Sequence, residues 1–127
     1  MNYLVDSCVW IDFFGQKKHF KAVSRLLFNN SAVVNEIILA ELLPVAKLQK
    51  ETAFIDCLSG LETAPLRIDW PEIAEIQHQC LQAGLNKVGL LDIVIAQNAR
   101  QNGLVLFSTD KHMRFLAQKF GVRLKRS

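Results

Sequence analysis

The chain has 127 residues, half of them hydrophobic and 21% charged, with 15 basic against 12 acidic side chains and a net charge of +3. That length suits a single domain over 1–127 that buries roughly two thirds of its unfolded surface. The composition excludes low-complexity disorder, leaving only the last few residues as an expected disordered basic tail. No apolar run reaches membrane-spanning length, and Asp6 interrupts the N-terminal stretch where a signal peptide needs an unbroken apolar core, so a cytoplasmic protein without membrane association is expected.

Residues 2–5 (NYLV) read as a first strand ending at Asp6, after which VWIDFF continues apolar. A helix is expected from 18 to 29, with Phe20, Val23, Leu26 and Leu27 on one face, and Asn29-Asn30-Ser31 breaks it. Ala32-Val33-Val34 reads as a second strand, and Asn35 can cap a helix from 36 to 47 that contains the awkward Pro44. Residues 51–59 look helical and 63–68 (TAPLRI) extended. The start at Asp69-Trp70-Pro71-Glu72 is well marked, with a capping acid, Pro in the first turn and Glu three residues after the cap. That helix should end at Gly84. A further helix over 90–102 stops at Gly103, LVLF (104–107) reads as a buried strand, Ser108-Thr109-Asp110 as a loop, 111–119 as the last helix and 122–124 as a last strand. Alternating strands and helices indicate an α/β protein around a mainly parallel sheet.

Cys8, Cys57 and Cys80 are odd in number, far apart and in no C-x-x-C pair, so they read as reduced, mostly buried thiols rather than a disulfide framework or a zinc site. The basic residues collect in Lys17-Lys18-His19 with Lys21, in Lys111-His112 with Arg114, and in Arg123, Lys125 and Arg126. Each cluster alone reads equally well as an ordinary solvated face.

Four acids share an unusual setting: Asp6 ends an apolar strand, Glu41 lies in IILAELL, Asp92 lies in GLLDIVIA and Asp110 follows VLFST. Any one alone reads as a helix cap or a core-edge acid paired to a donor. Together they suggest a shared site, because ligands in parallel α/β sheets bind beyond the carboxyl ends of strands, where Asp6 and Asp110 fall. Converging carboxylates repel unless a cation sits between them. Oxygen donors without a Cys or His cluster select a hard ion, Mg²⁺ or Mn²⁺, and such a site suits phosphodiester hydrolysis.

YLVDSCVWIDFF with Asp6, IILAELL with Glu41, GLLDIVIAQNARQNG with Asp92 and LVLFSTDKHM with Asp110 together resemble PIN-domain ribonucleases, especially the VapC toxins of bacterial toxin–antitoxin pairs. The resemblance spans nearly the whole chain. It implies a three-layer α/β/α sandwich in which Asp6, Glu41, Asp92 and Asp110 form the metal-binding pocket of an Mg²⁺- or Mn²⁺-dependent endoribonuclease. Ser7 matches the small hydroxyl residue that often follows the first acid. Ser108 falls where the family commonly has Thr and is expected to hold the last carboxylate or a water. Met113 replaces the usual Phe as a packing substitution. The resemblance also implies an RNA substrate, a small VapB-like antitoxin that feeds a segment, often with an Arg, toward the pocket, and a homodimer. Trp10, Phe13, Phe14 and Trp70 suit either those surfaces or the core.

A haloacid-dehalogenase-like phosphatase wants a second Asp two positions after the first, where this chain has Cys8, and a receiver domain wants an acid adjacent to Asp6. A non-catalytic RNA- or protein-binding module that keeps the pocket is the alternative of a different class. Asp12 reads as a turn cap or a solvated acid. His19, His78 and His112 read as surface residues, with Lys111, His112 and Arg114 as candidates for RNA-phosphate contacts.

Overall fold

The computed structural model describes residues 1–16 and 18–127. Lys17, which opens the first basic cluster, lies outside the described residues. Among the described residues the elements follow in the order β1 (Tyr3–Val5), α1 (Ser7–Gln16), α2 (Phe20–Phe28), β2 (Ala32–Val34), α3 (Glu36–Leu48), α4 (Thr52–Ser59), β3 (Glu62–Thr63), α5 (Trp70–Gln82), α6 (Leu90–Gln101), β4 (Val105–Phe107), α7 (Met113–Phe120) and β5 (Leu124–Lys125). The strands form one sheet in the order β3-β2-β1-β4-β5, every neighbouring pair parallel.

That order dictates the layers. From β1 the chain steps to β2 and β3 on one side, then returns to β4 beside β1 and steps to β5 on the other. Right-handed crossovers therefore put the helices of the first half on one face and those of the second half on the opposite face. The result is the expected three-layer α/β/α sandwich. Every residue of β2 and β4 is buried, as a sheet covered on both faces requires. The direction of stepping reverses between β1 and β4, which makes their carboxyl ends the crevice of the sheet.

Several local signals act as expected. The Asn35 side chain accepts from the Ile38 N–H at 2.9 Å and starts α3, while Asp69 accepts from the Glu72 N–H at 3.2 Å to start α5, with Pro71 in its first turn. Pro44 does not end α3: the helix runs from Glu36 to Leu48, and the carbonyl that loses its partner belongs to the exposed Ala40. β3 is Glu62–Thr63, so only Thr63 of the expected extended segment 63–68 is in a strand, although the Ala64 N–H continues the pairing with the Val34 carbonyl at 2.7 Å.

The main surprise is α1. The run VWIDFF is helical, because the Asp6 carbonyl accepts from the N–H groups of Val9 (3.1 Å) and Trp10 (3.3 Å) and turns the chain at once out of β1. Trp10 becomes fully buried, with Phe13 and Phe14 packed against the core and the Phe14 ring tilted by 30° against Phe54, their centroids 3.9 Å apart. These three aromatics thus serve chiefly the core. Trp70 is 57% exposed.

α6 is buried continuously from Ile93 to Ala99, since it packs against both α5 and α7 as well as β4. Its two polar members inside that stretch are both paired. Gln97 accepts from the Asp69 N–H at 3.1 Å and donates to Glu72 at 2.6 Å, and Glu72 receives both arms of Arg100 at 2.6 Å. Asn98 donates to the Pro65 carbonyl at 2.9 Å and accepts from the Asn35 amide at 2.9 Å. The Asn35–Asn98 bond ties the start of α3 to the middle of α6, the two helices that carry Glu41 and Asp92. Replacing Asn35 by Ala removes a cap and leaves the buried Asn98 oxygen unpaired, so we expect a loss of about 3 kcal/mol, measured by urea unfolding. A loss under about 1 kcal/mol would show that the clasp carries no stability.

Candidate active site

Four acids approach one another at the carboxyl end of the sheet, each delivered by a different element. Asp6 follows β1 directly and is buried. Its Oδ1 accepts from the Ser7 N–H at 2.8 Å, and its Oδ2 accepts from the Ser108 hydroxyl at 2.8 Å and, more weakly, from the Cys8 thiol at 3.8 Å. Asp110 lies in the loop after β4, where its Oδ1 accepts from the His112 N–H at 2.8 Å and faces the His112 Nδ1 at 3.6 Å. Asp92 stands in the first turn of α6, where the positive end of the helix dipole favours its charge. Glu41 comes from the middle of α3.

Ser108 has a different role from the one expected of it. Fully buried, it donates its hydroxyl proton to Asp6 and accepts from the Asp110 N–H at 3.1 Å, so it holds the first carboxylate and the backbone of the last. The parallel register explains this: β1 and β4 are neighbours, the Asp6 N–H bonds the Phe107 carbonyl at 2.9 Å, and the next side chain is Ser108. Ser7 contributes its backbone N–H to Asp6, while its hydroxyl eases the charge on Glu41. Spacing gave no signal for Cys8 or Arg126. Cys8 lies within 3.6 Å of the Ser108 hydroxyl and receives the Thr109 hydroxyl at 3.5 Å. Arg126 donates to the carbonyls of Asp110 (3.3 Å) and Thr109 (3.2 Å) and braces the loop from outside.

The acids disturb one another's ionisation. Burial raises the Asp92 carboxyl to about 6, with the charges of Asp110 and Asp6 adding to the effect and His112 opposing it. Burial likewise pushes Asp6 up, against hydrogen bonds from Ser108, Ser7 and Cys8 and with Asp110 adding to the push. Glu41 is raised by desolvation and then by Asp6 and Asp92. Asp92 has no hydrogen-bond donor among the described residues, and nothing on the protein fully offsets its charge.

Such a donor set fits a hard divalent cation. Among the described residues no three His, Cys, Asp or Glu side chains are closed to direct ligating spacing. Mg²⁺ does not require that, because it keeps several waters and commonly takes only one or two carboxylates directly. Asp6, Glu41, Asp92 and Asp110, each within electrostatic reach of others, are the residues that could hold it.

Of the expected phosphate contacts, Lys111 and His112 line a cleft of about 370 Å³ together with Lys87, Leu85 and Asn86, next to Asp110. Arg114 is exposed and does not line that cleft. His19 is not a plain surface residue: its Nε2 lies 3.7 Å from the Asp12 carboxylate and it sets its ring edge on Phe107 at 5.8 Å. His78 is exposed.

Fold and site define an α/β/α protein with an acidic pocket at the switch point of its sheet. Residues 3–119 match the PIN domain family, and the chain belongs to that family. Two solved structures share the fold. The VapBC2 complex of Rickettsia felis bound to a promoter DNA fragment contains a chain of 20% identity, with a TM-score of 0.76 over 98% of both chains. The DNA-bound VapBC complex of Salmonella typhimurium contains one of 21% identity, with a TM-score of 0.71 over 98% of this chain and 97% of that one. No curated protein sequence matches the chain.

The raised Asp92 carboxyl has a thermodynamic consequence. The folded chain holds this proton to about pH 6 and the unfolded chain only to its ordinary 3.8, so metal-free stability falls as pH rises through that window. Asp92→Asn removes the repelled charge without changing shape. In metal-free buffer its Tm should exceed that of the parent by a few degrees at pH 7.5, and the two should converge below pH 4. A lower Tm for the variant at pH 7.5 would contradict the repulsion.

Proposed function

We propose that this chain is a divalent-metal-dependent endoribonuclease, the toxin of a VapBC-type toxin–antitoxin pair, acting in the cytoplasm through Asp6, Glu41, Asp92 and Asp110. The observation that carries the reading is the uncompensated charge of Asp92, half-buried, without a hydrogen-bond donor, and facing Asp6 and Asp110. A purely structural acid would be capped or paired. A charge left open at the switch point of an α/β sheet is suited to a ligand that brings positive charge.

Mg²⁺ or Mn²⁺, when bound, supplies a lowered pKa for water and stabilises charge developing on a phosphodiester. The chain's own residues do the rest. Ser7 and Ser108 fix both oxygens of Asp6, so that carboxylate keeps a set orientation, whereas Asp92 accepts no hydrogen bond among the described residues. The Ser108 bond to the Asp110 backbone couples the two strand ends, and Arg126 restrains the same loop. Lys87, Lys111 and His112 flank the acids with positive or hydrogen-bonding groups, where the phosphate of a nucleotide beside the scissile bond would lie.

A VapB-like antitoxin as partner is supported by the likeness in fold to two VapBC complexes. An apolar groove of about 190 Å³, lined by Ile11, Phe14, Leu42, Val45 and Phe54, opens beside Glu41, so a segment seated there could extend a cation toward the acids. A homodimer suits the apolar surface formed by Ile37, Ala40, Leu66 and Leu91, with Leu90 and Leu91 each about half exposed.

Purified protein incubated with total RNA and Mn²⁺ should cleave, and excess chelator should stop it. Asp6→Asn and Asp92→Asn should each lower the cleavage rate by at least about a hundredfold, with folding verified by circular dichroism. Undiminished cleavage by both variants would overturn the site. The absence of chelator-sensitive cleavage would favour a non-catalytic binding module.

A further inference from the structure

On the α2 side of the sheet, Tyr3, Lys21, Ala22, Arg25, Leu26 and Lys125 line a groove of about 310 Å³. Three of the six are cationic and none is acidic. None of the three cations has a carboxylate side chain within ion-pair distance among the described residues, although the Lys125 ammonium donates to the Ser127 carbonyl at 2.6 Å; the charged side-chain pair present is Arg100–Glu72, with His19 near Asp12 and His112 near Asp110. Three like charges around one groove make it complementary to an anion. Solvated lysines on an open face need no such partner. Here, however, the Lys125 side chain is half-buried and held with its ammonium 5.3 Å over the Phe107 ring, which fixes one charge at the groove.

The groove is also tied to the acids by the sheet. Val5, Phe107 and Lys125 lie opposite one another across β1, β4 and β5, and neighbouring strands are about 4.8 Å apart, which places the Lys125 backbone about 10 Å from the end of β1 and hence from Asp6. The next residue, Arg126, reaches the loop of Asp110. Positive side chains therefore stand both beside the loop of Asp110, at Arg126, and along the groove, at Lys125, Lys21 and Arg25.

We propose that this groove binds the phosphate backbone of the RNA beyond the cleavage site, so that Lys21, Arg25 and Lys125 select for substrates long enough to reach it. The proposal rests on the ribonuclease reading given above. Phosphate contacts of this kind position a nucleic acid without reading its sequence, and they make affinity depend steeply on salt.

The test uses the full chain carrying Asp6→Asn, in chelator, so that binding is read without cleavage. Its affinity for a long RNA is measured across a salt series with and without the added pair Lys21→Glu and Arg25→Glu. Both added positions are exposed and outside the acidic pocket. We expect affinity to fall by about tenfold and the slope of log affinity against log salt to become shallower by about 1.4, the value for two lost single-strand phosphate contacts. In the cleaving chain, the same pair should raise KM for the long RNA while leaving cleavage of a short oligonucleotide confined to the pocket unchanged. Unchanged affinity and slope would overturn the proposal. So would unchanged RNA binding with loss of a polyglutamate probe, which would assign the groove to an acidic protein segment. Failure of the ribonuclease reading looks different: the chain would cleave no RNA, short or long, whatever stands at positions 21 and 25.

Discussion

The architecture is organised around the desolvation and mutual repulsion of carboxylates at the crevice between β1 and β4. Bringing Asp6, Asp92 and Asp110 within electrostatic reach opposes folding, as the raised carboxyls of Asp6 and Asp92 show. Something else must hold them there. The offsetting elements are the buried strands, the apolar shell of α6 from Ile93 to Ala96, and the start of α6 beneath Asp92. Because these are packed on all sides, the acids cannot relax apart without opening the core.

The polar members of the core follow the same logic at one remove. Asn35 caps α3 with its oxygen and clasps α6 through Asn98 with its nitrogen, so one buried amide fixes the relative placement of the helices that deliver Glu41 and Asp92. Gln97 and Glu72 do the equivalent for α5 and α6, with the Arg100 guanidinium lowering the Glu72 carboxyl below its ordinary value. Glu72 and Asp92 make an instructive pair: both are acids on helix first turns, and the one given a guanidinium has the lowered carboxyl while the one desolvated beside other acids has the raised one.

Much of this was legible in the residues. Asn35, the Asp69-Pro71-Glu72 start and Gly103 mark helix ends by mechanisms that act locally, and β2 and β4 announce themselves as short apolar runs between turn residues. α1 was not legible, because VWIDFF is apolar on nearly every side and shows neither a helical nor a strand period. What decides it is the Asp6 carbonyl, which accepts the first two bonds of the helix. The setting of the four acids suggested a common site, but the approach of Glu41 depends on how α3 packs on α1, and the Ser108 hydroxyl could be assigned to Asp6 only once the register of β1 on β4 was known. Lys87, Cys8 and Arg126 carry no spacing signal at all. Lys21 and Lys125 belong to separate basic stretches of the chain and line one groove only when β5 is placed beside β4.

The Arg126 brace has a practical side. The guanidinium that steadies the loop of Asp110 is the penultimate residue of the sequence, and Lys125 bonds the Ser127 carbonyl at 2.6 Å, so this end of the chain lies at the mouth of the pocket. Any polypeptide joined after Ser127 departs from that mouth. A purification handle, a reporter or a fused binder attached there would compete with whatever enters, whereas the opposite terminus leads into the amino end of β1, on the far edge of the sheet from the acids. The choice of fusion point is thus written into the direction of a two-residue strand.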